Sequence, residues 1–327
     1  MAETMRAWRV TAYGEPERVM ALHDVAVPAP GPGEVLVRVR AVAVNFPDVL
    51  LARGEYQERP EIPFTLGVEL CGEVAELGEG VAGFAVGQRV VASKIGVLAE
   101  YAVVPAAAVR PAPGSLDDAA AAALTIAYQT AWFGLHRRAA IRPGEKLLVH
   151  AAAGGVGTAA CQLGAAAGAT VIGVVGSEAK AGVARAAGAH EVLLRGDDWV
   201  GEVKRAHRGV DVVFDPVGGA AFEGSVRCLA FEGRIVVVGF ASGVVPAVRA
   251  EHALVKNYSV LGLHWGLYQL RRPDLVDEAH AELTRLAGEG VVKPVVQDVV
   301  PFDEAPAAVQ RLAGGATTGR LVIRVAS

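Results

Sequence analysis

The stretch KLLVHAAAGGVG at residues 146–157 decides the fold of this chain. Its apolar run, which ends at Val149, predicts a buried strand, and its glycines predict a tight turn where backbone can approach a bulky anion. A helix of small residues is predicted from Thr158 to Ala167, and its free N–H groups and positive dipole end would face that anion. This combination binds the pyrophosphate of a dinucleotide. The residues predicted to form the binding turn are Gly154, Gly155, Val156 and Gly157.

The glycine pattern alone is a weak signal, because Ala152 replaces the first glycine of the usual G-x-G-x-x-G. Its context strengthens it, since a second β-branched run at residues 170–175 follows a helix of ordinary length. Further short runs bounded by glycine lie at residues 211–215, 234–239 and 258–262. This alternation predicts an α/β fold with a doubly wound parallel sheet, that is, a Rossmann domain. An unrelated strand–turn–helix is the alternative interpretation.

The residues after the second strand indicate which dinucleotide is bound. An NAD site usually has Asp or Glu there, whose carboxylate holds the ribose 2′-hydroxyl. This chain has Gly176 and Ser177 instead, with Lys180 one helical turn later and Arg195 after the next apolar run, while Glu178 lies past the strand end. A charged hydrogen bond contributes about 1.5–3 kcal/mol, so two such bonds to a 2′-phosphate would favour NADPH by roughly 10²–10⁴-fold. NADPH is therefore the predicted cofactor, and solvated surface cations are the alternative interpretation of both basic residues.

Composition limits the function classes. The 327 residues, of which 52% are hydrophobic, suffice for two domains with a core each. The net charge is −4 and no long run of like charge occurs, so a nucleic-acid partner is not expected. The three cysteines lie far apart, which favours reduced thiols over a disulfide framework. The N-terminus lacks an apolar signal segment and no long apolar stretch free of charge occurs, so we expect a cytoplasmic protein without a membrane partner.

The N-terminal part of the chain is predicted to be β-rich. Residues 34–44 alternate apolar and charged side chains, and short strand patterns follow at 72–77 and 88–93. Such a series of strands predicts a compact, partly barrelled domain. Asp117 is predicted to cap an alanine-rich helix, after which strands and helices alternate.

The C-terminal part is predicted to return to the first domain. Residues 274–290 have the pattern of an amphipathic helix, and 319–325 that of a last strand, which must find a sheet to pair with. We therefore assign residues 1–124 and 267–327 to the β-rich domain and residues 125–266 to the dinucleotide-binding domain.

The order of these parts resembles the medium-chain dehydrogenase/reductase superfamily, and within it the zinc-independent quinone oxidoreductases related to zeta-crystallin. The resemblance implies a GroES-like catalytic domain beside the Rossmann domain. The Ala-for-Gly change at Ala152 is itself typical of this branch. The motifs that carry the resemblance span nearly the whole chain and are VNFPD at 44–48, RGEY at 53–56, GVELCGEV at 67–74, GQRV at 87–90, HAAAGGVG at 150–157, DPVGG at 215–219 and TGR at 318–320.

The zinc-dependent alcohol dehydrogenases of the same superfamily are the nearest competitor. A catalytic zinc needs three protein ligands and an open position. Here the expected Cys position falls near Asn45, the expected Gly-His-Glu is Gly67, Val68 and Glu69, and Cys161 lies on the predicted cofactor helix. We therefore predict no metal site. Hydride transfer to a conjugated acceptor, a quinone or an α,β-unsaturated carbonyl, is then favoured over alcohol oxidation, which relies on a Lewis acid.

Four catalytic candidates follow from the resemblance. Asn45 would lie beside the nicotinamide and the acceptor, where its amide could hydrogen-bond a carbonyl oxygen, unless it is only a turn residue. Thr130 would line the nicotinamide pocket, unless it bonds its own helix backbone. Tyr56 and Tyr128 could donate to a developing oxyanion or line the acceptor pocket, although tyrosines in such positions often only pack.

The remaining cofactor candidates also follow from the resemblance. The backbone of the segment containing Gly239, Phe240 and Ser242 would lie against the nicotinamide, and His264 belongs to a connection that would line the cleft. Arg320 could reach the cofactor from the last strand, with a surface salt bridge as the alternative.

The predicted function is NADPH-dependent reduction of a quinone without zinc. The same machinery could instead reduce an activated C=C bond in an enone, an enoyl thioester or a haloacrylate. A non-enzymatic, crystallin-like NADPH-binding role is the alternative from another class. The resemblance also implies a homodimer formed by edge pairing of the nucleotide-domain sheet.

Overall fold

The computed structural model describes residues 3–325. The chain divides into two compact units, Met1–Ile126 with Lys293–Ser327, and Ala127–Val292. No helix in the described residues is long and apolar enough to cross a membrane. The elements of the first part of the chain are β1 (Thr4–Val10), α1 (Pro16–Val19), β2 (Met20–Ala26), β3 (Glu34–Ala43), α2 (Phe46–Arg53), β4 (Phe64–Thr65), β5 (Glu69–Leu77), β6 (Arg89–Ser93), β7 (Tyr101–Pro105), β8 (Val109–Pro111), α3 (Asp118–Ala122) and α4 (Thr125–Trp132). A π-helical segment, Phe133–Arg138, continues α4.

The elements of the remaining part are β9 (Lys146–His150), α5 (Gly155–Ala166), β10 (Thr170–Val175), α6 (Glu178–Ala186), β11 (Glu191–Leu194), α7 (Trp199–His207), β12 (Val210–Asp215), α8 (Gly219–Cys228), β13 (Leu229–Val237), α9 (Ala250–Lys256), β14 (Ser259–Gly262), α10 (Trp265–Arg271), α11 (Pro273–Gly288), β15 (Val296–Pro301), α12 (Ala305–Ala313) and β16 (Arg320–Arg324).

The first unit is built around β3, whose apolar alternation creates its core. Val35, Val37 and Val39 are fully buried, while Arg38 between them is exposed. One sheet has the strand order β15-β16-β3-β5-β6-β8, with β7 also on β3, and a smaller sheet has the order β2-β1-β4. Because β16 pairs antiparallel with β3, the predicted return of the last strand to the first domain is confirmed.

The second unit extends further along the chain than the sequence suggested. Residues 267–292, assigned above to the first domain, belong to the second unit. Nε1 of Trp265 donates to Oε1 of Gln129 at 3.0 Å, and the ring centroids of Tyr268 and Phe133 lie 4.3 Å apart. These contacts join α10 to α4 and its π-helical extension, so the unit boundaries lie after residues 126 and 292 rather than after 124 and 266.

The second unit contains the predicted doubly wound parallel sheet, in the order β11-β10-β9-β12-β13-β14. Helices cover both faces because neighbouring residues of β9 point to opposite sides. Leu147 lies against Gly164 of α5, where a Cβ would come within 2.4 Å of Leu147 Cδ2. Leu148 packs with Phe222 of α8 on the other face of the sheet. The strand order reverses between β9 and β12, and ligands bind at such a switch point, beyond the carboxyl ends of the strands.

Ala152, which replaces the first glycine of the motif, lies opposite a glycine of the neighbouring strand. A Cβ on Gly173 of β10 would lie 2.9 Å from the Cβ of Ala152. The methyl group of Ala152 therefore fits into the turn because β10 has no side chain opposite it.

Candidate active site

The turn after β9 leaves the start of α5 open. Ala151 adopts the left-handed conformation at φ 49°, and its carbonyl accepts the N–H of Gly154 at 2.8 Å. Gly154 precedes α5 and supplies no side-chain cap. A Cβ on Gly157 would lie 2.1 Å from the carbonyl oxygen of Ala151, so only glycine permits this approach of turn and helix. The first N–H groups of α5, from Gly155 onward, can therefore serve an anion, as the motif predicts.

Two cations lie near the end of β10, where the sequence predicts the ribose phosphate. A Cβ on Gly176 would meet nothing within 4 Å, so the space beside this glycine is open. Ser177 begins α6 without using its hydroxyl as a cap. Partial burial, and after it the positive charge of Arg195, lowers the pKa of Lys180. The structure thus brings Lys180 and Arg195 within electrostatic reach of each other, where a dianion would offset their mutual repulsion.

Two buried polar groups at the switch point were assigned no role from the sequence. Nε2 of His150 lies 2.7 Å from Oγ of Ser225, which donates to the carbonyl of Ala221. Nε2 is therefore the donor, and Nδ1 is an acceptor without a partner in residues 3–325. Burial, and to a lesser extent Arg195, lowers the pKa of His150 to about 3, so its ring is neutral.

The second of these groups is Asp215, at the end of β12. Its Oδ1 accepts the N–H groups of Val217 and Gly218, while its buried Oδ2 has no partner in the described part of the chain. Burial raises the pKa of Asp215. A cavity of about 160 Å³ adjoins this region and is lined by His150, Arg195, Trp199, Val217, Gly218, Ala220, Ala221 and Ser242. The open turn, the two cations and the unpartnered polar atoms together fit a dinucleotide. The sequence signal was positional, since both residues end strands beside the switch point.

The segment after β13 packs onto the DPVGG segment. Cβ atoms on Gly218 and Gly219 would lie 3.0 Å from Phe240 Cδ1 and 3.1 Å from Ser242 Oγ. Ala241 donates its N–H to Pro216 O at 3.0 Å. The backbone of Gly239, Phe240 and Ser242 is therefore held at the same edge of the sheet as the glycine turn. His264 lies at the start of α10 and is exposed. Contact of these residues with a nicotinamide stays a prediction.

Asn45 is held rigidly in the first unit, at the start of α2. Its amide nitrogen Nδ2 donates to the carbonyl of Ala43 at 3.0 Å and to Oε1 of Glu69 at 2.8 Å. Both amide hydrogens are therefore used, and only Oδ1 can serve a ligand. In this arrangement the amide hydrogens of Asn45 are engaged within the first unit, and its predicted hydrogen bond to a carbonyl oxygen of the acceptor stays a prediction.

Glu69 is the centre of this polar cluster and is fully buried on β5. Its Oε1 also pairs with Nη2 of Arg320, and its Oε2 accepts the N–H of Ile126 at 2.8 Å. Arg320 is itself buried, so the salt bridge that it forms with Glu69 is an internal one. The alternative prediction of a surface salt bridge is wrong. In the sequence Glu69 is marked only by its place in a motif, because no local pattern shows that its partners lie 24 and 251 residues away.

The other catalytic candidates have different surroundings. Tyr128 is fully buried and its hydroxyl donates to Oε1 of Gln162 on α5 at 3.0 Å, and its predicted donation to an oxyanion stays a prediction. Thr130 is buried on α4 in the second unit. Tyr56 is half-buried in the first unit, and burial, followed by the charges of Glu58 and Asp48, raises its pKa. Tyr56 therefore keeps its proton at neutral pH.

Comparison with known proteins places these features in context. Residues 31–114 match the family model described as alcohol dehydrogenase GroES-like domain, and residues 155–281 match that described as zinc-binding dehydrogenase. Quinone oxidoreductase-like protein 2 homolog of Nematostella vectensis is 38% identical over 301 residues, covering 90% of this chain and 82% of that protein. The structure of a probable oxidoreductase from Mycobacterium abscessus has 38% identity and a TM-score of 0.91, covering 99% of this chain and 100% of that one. Escherichia coli quinone oxidoreductase complexed with NADPH has 32% identity and a TM-score of 0.91, covering 98% and 99%.

The zinc named in one of these family models has no fitting donor set here. Within residues 3–325, no group of three His, Cys, Asp or Glu side chains is placed to hold a metal ion. The cysteines Cys71, Cys161 and Cys228 are buried on separate elements, and burial raises their thiol pKa values to about 12, 12 and 11. The carboxylate of Glu69 is already occupied by donors on both oxygens.

Proposed function

Because the chain belongs to the quinone oxidoreductase family of the medium-chain dehydrogenase/reductase superfamily, we propose that it is a zinc-independent NADPH:quinone oxidoreductase. The observation that carries the cofactor choice is the end of β10. There the chain has Gly176 with open space beside it and Ser177 with a hydroxyl that does not cap α6. The neighbouring cations Lys180 and Arg195 stand in place of a carboxylate.

The second unit supplies the binding groups for the cofactor. In this proposal the open N–H groups at the start of α5 bind the pyrophosphate, while Ser177, Lys180 and Arg195 bind the 2′-phosphate. Nδ1 of His150 and Oδ2 of Asp215, which have no partner in the described residues, would accept hydrogen bonds from the adenosine half of the cofactor. NADH has no 2′-phosphate and would gain neither of the two charged contacts. Because a carboxylate is absent from the strand end, its ribose 2′-hydroxyl would also lack the usual partner.

Bound NADPH would supply a hydride that, with a proton from solvent, reduces a quinone to a hydroquinone. The protein then contributes chiefly by binding and orientation, and by exclusion of water. Asn45 presents a fixed acceptor, Oδ1, because Ala43 and Glu69 hold its amide nitrogen. Thr130 and Tyr56 offer hydroxyl groups, and the tyrosine stays protonated at neutral pH.

An acceptor panel tests this proposal. Purified protein is mixed with NADPH or NADH and with benzoquinones, naphthoquinones, enones, enoyl thioesters or haloacrylates, and the loss of reduced-nicotinamide absorbance is followed. We expect the highest kcat/KM with a quinone and NADPH. Preference for an activated alkene would instead identify a C=C reductase, and NADPH binding without turnover of any acceptor would favour a non-enzymatic role.

We also propose that the chain forms a homodimer through the second unit. In support, β14 is one of the two edge strands of the parallel sheet, and the helices before and after it, α9 and α10, expose apolar side chains. Leu254, Val255 and Leu270 are 77%, 78% and 76% exposed. Light scattering during size-exclusion chromatography should give twice the mass of 33.8 kDa, and Leu254→Glu/Val255→Glu should shift the mass to that of the monomer.

A further inference from the structure

Asp48, on the first turn of α2, is buried in a position that suits a neutral carboxyl. It is 2% exposed. Its Oδ2 accepts the backbone N–H of Asn45 at 2.7 Å. Its Oδ1 is buried without a partner in residues 3–325. Burying an ionised carboxylate with no donor at one oxygen costs far more than burying a neutral carboxyl whose hydroxyl lacks a partner, so these surroundings favour the neutral form.

The charges around Asp48 favour the same state. Glu69 on β5 faces it with a negative charge, and Arg320 on β16 is the nearby cation, while Tyr56 beyond the end of α2 is neutral. Arg320 is already paired with Glu69. If Asp48 were also ionised, two buried carboxylates would share one guanidinium, and one negative charge would be left uncompensated.

We propose that Asp48 carries a proton on Oδ1 in the working enzyme, and that this neutral carboxyl is a positioning residue for Asn45. The inference rests on the proposed function for its effect on turnover, and on the geometry of the first unit alone for its protonation state. Asp48 holds the backbone of Asn45, and Glu69 holds its side chain, so the direction of Oδ1 of Asn45 depends on both.

An ionised Asp48 would compete with Glu69 for Arg320, and Glu69 holds the side chain of Asn45. Ionisation of Asp48 should therefore disturb Asn45 and slow the reaction. Burial, followed by the negative charge of Glu69, raises the pKa of Asp48 to about 7, although the backbone N–H groups of Asn45 and Gly67 and the charge of Arg320 act in the opposite direction. The protonated fraction falls about tenfold between pH 6 and pH 8 for such a group, and kcat should fall with it.

The first test is the pH profile of kcat in three variants. Asp48→Ala removes the acceptor for the Asn45 N–H and should lower kcat at every pH. Asp48→Asn retains a carbonyl oxygen there but cannot ionise, so it should restore most of that loss and abolish the decline between pH 6 and pH 8. Asp303→Asn is the matched control, because Asp303 is an exposed partner of Arg6, and its profile should follow that of the wild type. An unchanged decline in Asp48→Asn, or failure of Asp48→Asn to rescue Asp48→Ala, would overturn the proposal.

The second test does not depend on turnover. Carbon-13 NMR of the aspartate carboxyls in the cofactor-free protein identifies Asp48 as the resonance missing in Asp48→Asn. Its midpoint should lie near neutral pH, and an Asp48 already ionised at pH 5 would refute the inference. If no acceptor is reduced, the proposed function fails, but this titration still decides the state of Asp48. If turnover is found and Asp48 is ionised, only the inference fails.

Discussion

The open dinucleotide turn of the second unit and the closed polar cluster of the first unit meet opposite physical demands. The turn consists of glycines and of N–H groups at the start of α5 that a ligand can reach, and the cations Lys180 and Arg195 lie near the end of the neighbouring strand. In the cluster, Glu69 is saturated by donors that lie on α2, α4 and β16. One site is therefore built to be completed by a ligand, whereas the other is completed by the protein and keeps one side chain, Asn45, in place.

The largest effect on stability should come from breaking the closed cluster. Glu69→Ala leaves the Arg320 guanidinium buried and unpaired, so we expect a loss of about 3–5 kcal/mol in the free energy of unfolding, measured by urea titration. Glu76→Ala on the exposed face of the same strand should change it by no more than about 0.5 kcal/mol. Equal unfolding curves for the two variants would mean that the ion pair does not hold the cluster.

The open site should respond in binding instead. Lys180→Ala/Arg195→Ala removes both proposed 2′-phosphate contacts, so the preference for NADPH over NADH should fall by roughly 10²–10⁴-fold in a fluorescence titration. Arg185→Ala, on the same helix as Lys180 but paired with Glu178, is the control and should preserve the preference. If the double variant still discriminates as the wild type does, the 2′-phosphate is bound elsewhere.

The protonation of Asp48 should also appear in stability. Because its pKa is raised from 3.8 to about 7 in the folded state, its favourable contribution is complete below pH 4 and is lost as the pH rises towards 7. Asp48→Asn lacks this loss. The free energy of unfolding of Asp48→Asn relative to the wild type, measured by urea titration, should therefore rise between pH 4 and pH 8, by an amount on the order of a few kcal/mol. A difference independent of pH would show that Asp48 is ionised throughout.

The smallest effects should come from single side chains near the reacting groups. Asn45→Ala removes the fixed acceptor and Thr130→Ala removes a buried hydroxyl near the proposed nicotinamide pocket, so each should lower kcat by about tenfold while the Kd for NADPH changes little. Stopped-flow measurement of single turnovers separates the two quantities. If neither variant slows hydride transfer, both residues are structural.

Local patterns predicted the second unit well because its features are local. The strand at residues 170–175 coincides with β10, and Asp117 caps α3 by accepting the N–H of Ala120, as predicted. Helix α5 begins at Gly155, three residues before the predicted start, since glycines within the first turn do not prevent helical backbone when their N–H groups are left for a ligand.

The errors concern contacts between distant parts of the chain. The sequence could not show that Trp265 would bond Gln129, which places residues 267–292 in the second unit. Likewise, the sequence could not show that the amide nitrogen of Asn45 donates to Ala43 and to Glu69, which lies 24 residues away. A residue type limits what a side chain can do, and only its partners decide which of these options remains.

The contact between Ala152 and Gly173 has an evolutionary consequence. A methyl group at position 152 and an empty position 173 share one volume, so Gly173→Ala should be poorly tolerated alone and tolerated together with Ala152→Gly. Proteins that share this turn should therefore exchange the two residues as a pair, and the first glycine of the fingerprint is dispensable wherever the neighbouring strand gives up its own side chain.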